Sequence, residues 1–183
     1  VRNVFRLEGQ RTLNQRLRGP AMLWEVAKYL TGGRGALSLP AGVVFGFVRS
    51  RPELETPDVQ YHIAHASFKD PKKRVFDPWP GLTMGPCQLR PESRGTIHAA
   101  SPDPYAPPSI RPNFLAETVD QQTLIAGVRI ARRLASADPL ARSVVREEIP
   151  GPEVKSDDEI LDFCRRTGAT VYHPVGTCKM GQD

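Results

Sequence analysis

Thr118-Val-Asp-Gln-Gln-Thr-Leu-Ile-Ala-Gly-Val-Arg-Ile-Ala-Arg-Arg-Leu-Ala135 is the stretch that decides the fold class. Leu124, Ile125, Val128, Ala131, Leu134 and Ala135 recur at helical spacing, which predicts a long helix with one face packed on a sheet. Thr118 followed three positions later by Gln121 predicts a capping box at its start. A second box, Ser156-Asp-Asp-Glu159, puts carboxylates at the positive helix end ahead of Ile160, Phe163 and Cys164, with Gly168 as the stop. Beyond it the chain is expected to run extended into Tyr172-His173-Pro174.

Upstream the periodicity changes. Residues 41–48 are almost continuously apolar, which predicts a strand covered on both faces. Residues 59–68 alternate and read as a second strand, opened by Thr56-Pro57-Asp58. Proline and lysine crowd residues 69–81, which predicts a stiff surface loop. Residues 82–89 and 96–100 look like two strands paired around Pro91-Glu-Ser-Arg-Gly95, with Gly95 supplying the turn. Residues 19–31 carry Pro20 at a helix start and Leu23, Val26, Ala27 and Leu30 on one face, a short amphipathic helix. Gly32-Gly-Arg-Gly35 then reads as a loop. Strands early and long helices late imply an α+β fold, a largely antiparallel sheet with helices packed on one face. The 183 residues suit one domain with its own core.

Charge and cysteine content exclude several functions. The 25 basic and 20 acidic residues leave a net charge of +5, but the cations are scattered, without the aromatic interleaving of a nucleic-acid surface. A polyanion-binding domain therefore rests on net charge alone. Cys87, Cys164 and Cys178 are widely spaced and contain no C-x-x-C pair, so they read as free thiols suited to a reducing, cytoplasmic setting. No run of about 18 apolar residues suggests a transmembrane segment. His62 and His65 are three apart on a strand and point to opposite faces, and His98 has no partner by spacing, so no metal site is expected.

His173 is the candidate catalytic residue. Pro174 restricts the backbone before it, and Gly176 and Gly181 permit tight turns, a local sequence able to aim one imidazole. Imidazole changes charge closest to neutral pH, which suits proton transfer. A lone histidine can equally be a structural hydrogen-bonder, and the neighbouring motif separates the two readings.

Thr170-Val-Tyr-His-Pro-Val-Gly-Thr-Cys-Lys-Met-Gly181 resembles the histidine-proline signature of the glucose-methanol-choline (GMC) oxidoreductases, flavoenzymes that oxidise alcohols with FAD. Arg90-Pro-Glu-Ser-Arg-Gly-Thr-Ile97, Ser101-Pro-Asp-Pro104 and Pro108-Ser-Ile-Arg-Pro-Asn113 resemble that family's run from one substrate-domain strand to the next. Gly46-Phe-Val-Arg-Ser50 resembles a further strand, so the likeness covers nearly the whole chain. The resemblance implies an FAD-dependent alcohol dehydrogenase or oxidase, choline-dehydrogenase-like, with this chain as its substrate-binding domain. His173 then matches the base or hydroxyl partner, with Pro174 and Val175 beside the flavin and Tyr172 beside the substrate. Choline-type members are expected to carry a carboxylate near the strand that here reads Val43-Val-Phe-Gly-Phe47. Its apolar residues imply a small uncharged alcohol lining up against Val43, Phe45 and Phe47; these side chains can also be ordinary core.

The G-x-G-x-x-G turn that holds FAD pyrophosphate is not in this sequence, since Gly32-Gly-Arg-Gly35 has the wrong spacing. Residues 1–183 are therefore expected to be a piece, with the FAD-binding domain and a final segment bearing a second active-site His or Asn in the same polypeptide. Alone, the chain is expected to be inactive. A catalytically silent interaction module of the same fold is the alternative from another class.

Overall fold

The computed structural model describes residues 1–40 and 42–181. Its main sheet is built from β1 (Asn3–Leu7), β2 (Val44–Val48), β3 (Val59–Ala64), β6 (Gly81–Gln88) and β9 (Val144–Ile149). Between them lie β4 (Phe68–Asp70) and β5 (Val75–Phe76), and β7 (Thr96–His98) pairs with β8 (Ser109–Arg111). The helices are α1 (Leu13–Arg16), α2 (Pro20–Gly32), α3 (Thr118–Ala135) and α4 (Asp157–Thr167). The five strands run in the order β2-β3-β6-β1-β9, and every pairing is antiparallel. This is the expected α+β class; the main sheet adds β1 and β9 to the strands the sequence suggests, and β5 and β8 are further additions outside it.

The alternation of β3 and β6 places α3. Val59, Tyr61, Leu82 and Met84 point to one face, where with Phe5 and Leu7 they meet Ile130, Ala131 and Ala135 of α3. The Val, Leu, Ile, Met and Phe side chains among them contribute about 1.5–3 kcal/mol each on burial. The Tyr61 hydroxyl donates to the Gly127 carbonyl, so the helix satisfies the tyrosine's polar atom within this apolar face. Val128 continues into a second cluster with Ile160, Phe163 and Cys164, which stacks α4 beside α3.

The cap of α4 forms as the sequence predicts: Ser156 Oγ accepts from the Glu159 N–H and Glu159 Oε2 accepts from the Ser156 N–H. The cap of α3 does not. Glu117 is its N-cap and Thr118 its first helical residue; the start is held instead by Ser93 Oγ, which accepts from the Ala116 and Glu117 N–H groups. Asp120 completes this clasp. Its buried carboxylate accepts from Gln88 Nε2 at 2.7 Å, the Glu92 N–H at 2.9 Å and the Ser93 N–H at 2.8 Å. Burial pushes that carboxyl up, but the bonds from Ser93, Glu92 and Gln88 outweigh it and hold it below the usual range.

The same clasp overturns the expected pairing of residues 82–89 with 96–100. The segment 91–95 is tied to α3, so β7 turns away and pairs with β8, Ile97 opposite Ile110. Gly95 is not a turn residue. A Cβ there would lie 2.3 Å from the Arg111 carbonyl oxygen, so its role is close approach between strand ends. Residues 69–81 also differ from the expected plain loop: β4 and β5 form a hairpin with Phe68 and Phe76 stacked at 4.8 Å. Residues 59–68 split into two strands because the chain bends at His65–Ser67, where Asn14 Nδ2 donates to the Ser67 carbonyl and Asn14 Oδ1 accepts from its N–H.

The expected strand over 41–48 is shorter, and Ala41 lies outside the described residues. β2 is an edge strand with Val44, Phe45 and Phe47 exposed, not one covered on both faces. The expected helix at 19–31 is present as α2 but turned over. Glu25 is its buried side chain, 4% exposed, whereas Leu23 and Leu30 are 74% and 77% exposed. Arg16 forks onto both Glu25 oxygens at 3.1 Å, Lys28 Nζ donates at 2.9 Å and the Ala36 N–H at 2.6 Å. Gly35 (φ 94) lets the backbone pass, since a Cβ there would stand 2.5 Å from Glu25 Oε2.

Two outcomes follow for the protein. Asp120→Ala is expected to lower unfolding free energy by about 3 kcal/mol, because charge-assisted bonds contribute about 1.5–3 kcal/mol each and three part-buried donors lose their acceptor; denaturant titration measures it. Arg16, the Ala36 N–H and Lys28 hold the Glu25 carboxyl at about 2 rather than 4.5. A depressed carboxyl stabilises the fold above its ordinary value and loses that contribution as pH falls through its folded value. The stability difference between wild type and Glu25→Gln should therefore shrink between pH 4.5 and about 2, read by unfolding at a series of pH values.

Candidate active site

α4 delivers the histidine-proline turn. Its last bond, Gly168 N–H to the Cys164 carbonyl at 2.7 Å, ends the helix with Gly168 in extended backbone. Residues 169–181 then form no helix or strand and are exposed throughout. The extended run expected into His173 is interrupted, because Tyr172 adopts φ 63, a left-handed conformation uncommon for an aromatic residue. Thr170 Oγ1 supports it by accepting the Tyr172 N–H at 2.9 Å. The turn directs Tyr172, His173, Pro174 and Val175 off the body of the domain, with Tyr172 84% exposed. Gly176 (φ 88) makes the next bend.

Val43, Phe45 and Phe47 form the second group. Strand register settles their face: Phe45 pairs with His62 and Phe47 with Gln60, whereas the core residues Tyr61 and Val59 alternate with these. Phe45 and Phe47 therefore stand on the sheet face away from α3, and both are more than half exposed. Val43 is half-buried and bonds to the Ile63 carbonyl through its N–H. His62, whose place on a strand suggests no role by spacing, meets Phe45 edge to face at 5.2 Å. Cross-strand register is the signal that finds it. Cys87 pairs with Gln60 on the same face.

The structure gathers Val43, Phe45 and Phe47 on one strand and Tyr172, His173, Pro174 and Val175 on one turn. Among the described residues, no hydrogen bond or ring contact joins the two groups, and His173 makes no hydrogen bond or ion pair. Two grooves lie elsewhere. One of about 520 Å³ is bounded by Phe5, Arg132 and Glu147, and one of about 360 Å³ by Arg11, Trp24 and Glu25. Among the described residues no group of three or more His, Cys, Asp or Glu is placed to hold a metal ion.

The result is a mixed domain of distinctive form, with an open apolar sheet face at β2 and a projecting histidine-proline turn. Comparison with known proteins gives that form a family. The GMC oxidoreductase family model matches residues 91–183, just over half of the chain, and the chain belongs to the GMC oxidoreductase family. It is 39% identical to an alcohol dehydrogenase (acceptor) of Pseudomonas putida, over 90% of this chain and 30% of that protein. An oxygen-dependent choline dehydrogenase of Chromohalobacter salexigens is 33% identical, over 89% of the chain and 30% of its own length. The chain thus spans less than a third of these relatives. A formate oxidase of Aspergillus oryzae has the same fold, with a TM-score of 0.82 at 21% identity over 98% of the chain and 36% of the oxidase. Pyridoxine 4-oxidase from Mesorbium loti matches with a TM-score of 0.70 at 22% identity, over 99% of the chain and 31% of the oxidase.

The thiols near these residues should differ in reactivity. Burial pushes Cys164 up to about 11 and raises Cys87, while Cys178 is exposed five residues beyond His173. Thiolate is the reactive form. In native protein at neutral pH a disulfide reagent is expected to modify Cys178 and leave Cys164 untouched until denaturant is added, as peptide mass analysis will read out.

Proposed function

We propose that this chain is the substrate-binding part of an FAD-dependent alcohol oxidoreductase, with the FAD-binding domain supplied by the same polypeptide. The observation that carries the reading is the family match running through His173-Pro174, on a turn that projects from the fold.

The residues present fit one edge of a flavin. Tyr172 to Val175 are exposed, and a Cβ added at Gly176 would meet nothing within 4 Å, so a flat ring has room to approach. Bound FAD would supply the hydride acceptor. Pro174 and Val175 would lie beside its ring. His173 would hold the substrate hydroxyl within about 3 Å and take the proton from its oxygen, so that the carbon bearing that oxygen can give up hydride and become a carbonyl. Val43, Phe45, Phe47 and Tyr172 would exclude water from that carbon. The pyrophosphate would be held outside this chain, whose sequence contains no G-x-G-x-x-G turn.

An uncharged alcohol is the substrate class this apolar face favours. β2 offers no carboxylate to a quaternary ammonium group, and a buried cation without a partner is costly. The higher identity to an alcohol dehydrogenase than to a choline dehydrogenase points the same way. Nucleic acid is not part of this reading. No helix of the described residues is long and apolar enough to cross a membrane, and the free thiols Cys87, Cys164 and Cys178 suit a cytoplasmic setting.

Anaerobic mixing of the full-length polypeptide with alcohols tests the reading. Neutral alcohols are expected to bleach the visible flavin band, and choline to do so far more slowly. His173→Ala should slow bleaching by about 10²–10⁴-fold. An unchanged rate in that variant would remove His173 from the chemistry; faster reduction by choline than by any neutral alcohol would remove the apolar-pocket assignment.

A further inference from the structure

α2 carries a surface that the proposed alcohol chemistry does not use. Leu23, Ala27 and Leu30 recur at i, i+4 and i+7 and so form one stripe along the helix. The stripe faces outward, as the exposure of all three residues requires, because Glu25 occupies the inner side. Trp24 borders it at 65% exposure, and Leu37 and Leu39 extend the exposed apolar surface beyond the helix end. Exposed large apolar residues clustered this way mark a contact surface.

Charge indicates the chemistry of the contact. From Gln10 to Pro40 the cations are Arg11, Arg16, Arg18, Lys28 and Arg34, and the only acidic residue is Glu25. Its carboxylate is buried under Arg16 and Lys28, so this unit presents cations and no exposed carboxylate. Arg11 lines a groove with Trp24, Lys28 Nζ sits 5.5 Å from a Trp24 ring centroid, and Arg18 and Arg34 lie exposed just before and just after the helix. An apolar stripe bordered by tryptophan and flanked by Arg and Lys suits the boundary between acyl chains and anionic headgroups, where each cation near the surface contributes and the indole ring sits at headgroup level. A helix of 13 residues is too short to span a bilayer, so it would lie in the interface.

We infer that α2 and the segment to Leu39 form a docking surface for an anionic lipid membrane, with Leu23, Ala27 and Leu30 entering the acyl boundary and Arg11, Arg18 and Arg34 meeting phosphate headgroups. This inference does not depend on the flavin reading, since none of these residues belongs to the proposed site.

Co-sedimentation of the full-length polypeptide with vesicles tests it. The protein is expected to pellet with vesicles of mixed phosphatidylcholine and phosphatidylserine, less with phosphatidylcholine alone, and less again as salt is raised. Leu23→Ser with Leu30→Ser should reduce partitioning by about tenfold or more while leaving the unfolding midpoint and flavin reduction unchanged. Arg18→Gln with Arg34→Gln should reduce only the phosphatidylserine-dependent part. In lipid-free protein, Leu23→Cys should react readily with a maleimide and be protected by anionic vesicles. Absence of pelleting at low salt, or equal pelleting of the serine variant, overturns the inference. So does a lowered unfolding midpoint in that variant or an unreactive Leu23→Cys, because either means that protein, the rest of the polypeptide or a second copy, covers the stripe.

Discussion

The Asp120 carboxylate ties the end of β6, the segment that follows it and the first turn of α3 to one point. It receives the end of β6 through Gln88 and the following segment through the Glu92 and Ser93 N–H groups, and it sits in the first turn of α3. Ser93 returns the connection by accepting from Ala116 and Glu117. Sheet, crossover and helix start are thus fixed by one residue and its immediate partners. A neutral side chain could satisfy at most part of this set, because only a carboxylate accepts on both oxygens without bringing its own donors. The clasp sets where α3 begins, its apolar face sets how it lies on the sheet, and α4 with the His173 turn beyond it follows from the packing of α4 on α3.

A second carboxylate decides the opposite result at the other end of the chain. By hydrophobic pattern α2 should bury Leu23, Val26, Ala27 and Leu30, and burying such a stripe is ordinarily what orients a surface helix. Glu25 outweighs that preference because it collects Arg16, Lys28 and the Ala36 N–H together, and turning the helix over would strand all three without their acceptor. The stripe is left outward as a consequence. A helix in this orientation is consistent with the rest of the chain only if something apolar meets it, which is why its exposure carries meaning that a scattered surface leucine would not.

These two carboxylates also explain which parts of the fold were legible in the sequence. Signals confined to one turn of backbone were readable: the Ser156–Glu159 box, the stop after Thr167, the alternation of β3 and the apolar periodicity of α3. Signals set by distant residues were not. Thr118 looks like a cap until Ser93 arrives from 25 positions upstream, and residues 96–100 look like the partner of β6 until Asp120 holds the crossover away. β9 reads Val-Val-Arg-Glu-Glu-Ile, too charged for a sheet strand, because Glu147 is matched by Arg132 of α3 and by Asn3 across the sheet. β1 is masked similarly, with Asn3 and Arg6 set among its apolar residues. For the candidate site, the His173-Pro174 motif and the apolar character of β2 were legible as separate stretches; the shared face of Phe45 and His62 needed strand register.

On the proposed reading, the openness of the two site groups constrains how the site can work. Hydride transfer demands that water be kept from the reacting carbon, yet Phe45, Phe47, Tyr172 and Val175 are all exposed on this chain. An edge strand with one covered face supplies shape and apolar surface but no enclosure. Enclosure must come from a partner surface laid over the sheet face and the turn together, and the apolar area removed from water there would itself favour that docking. Positioning follows the same logic. His173 has no hydrogen bond fixing its ring within the described residues, so the group that aims its imidazole must be brought by the covering surface or by the substrate hydroxyl. A catalytic role for His173 therefore depends on the assembled polypeptide, and the chain contributes the turn geometry around Tyr172 and Pro174 that places the ring where such a partner can reach it.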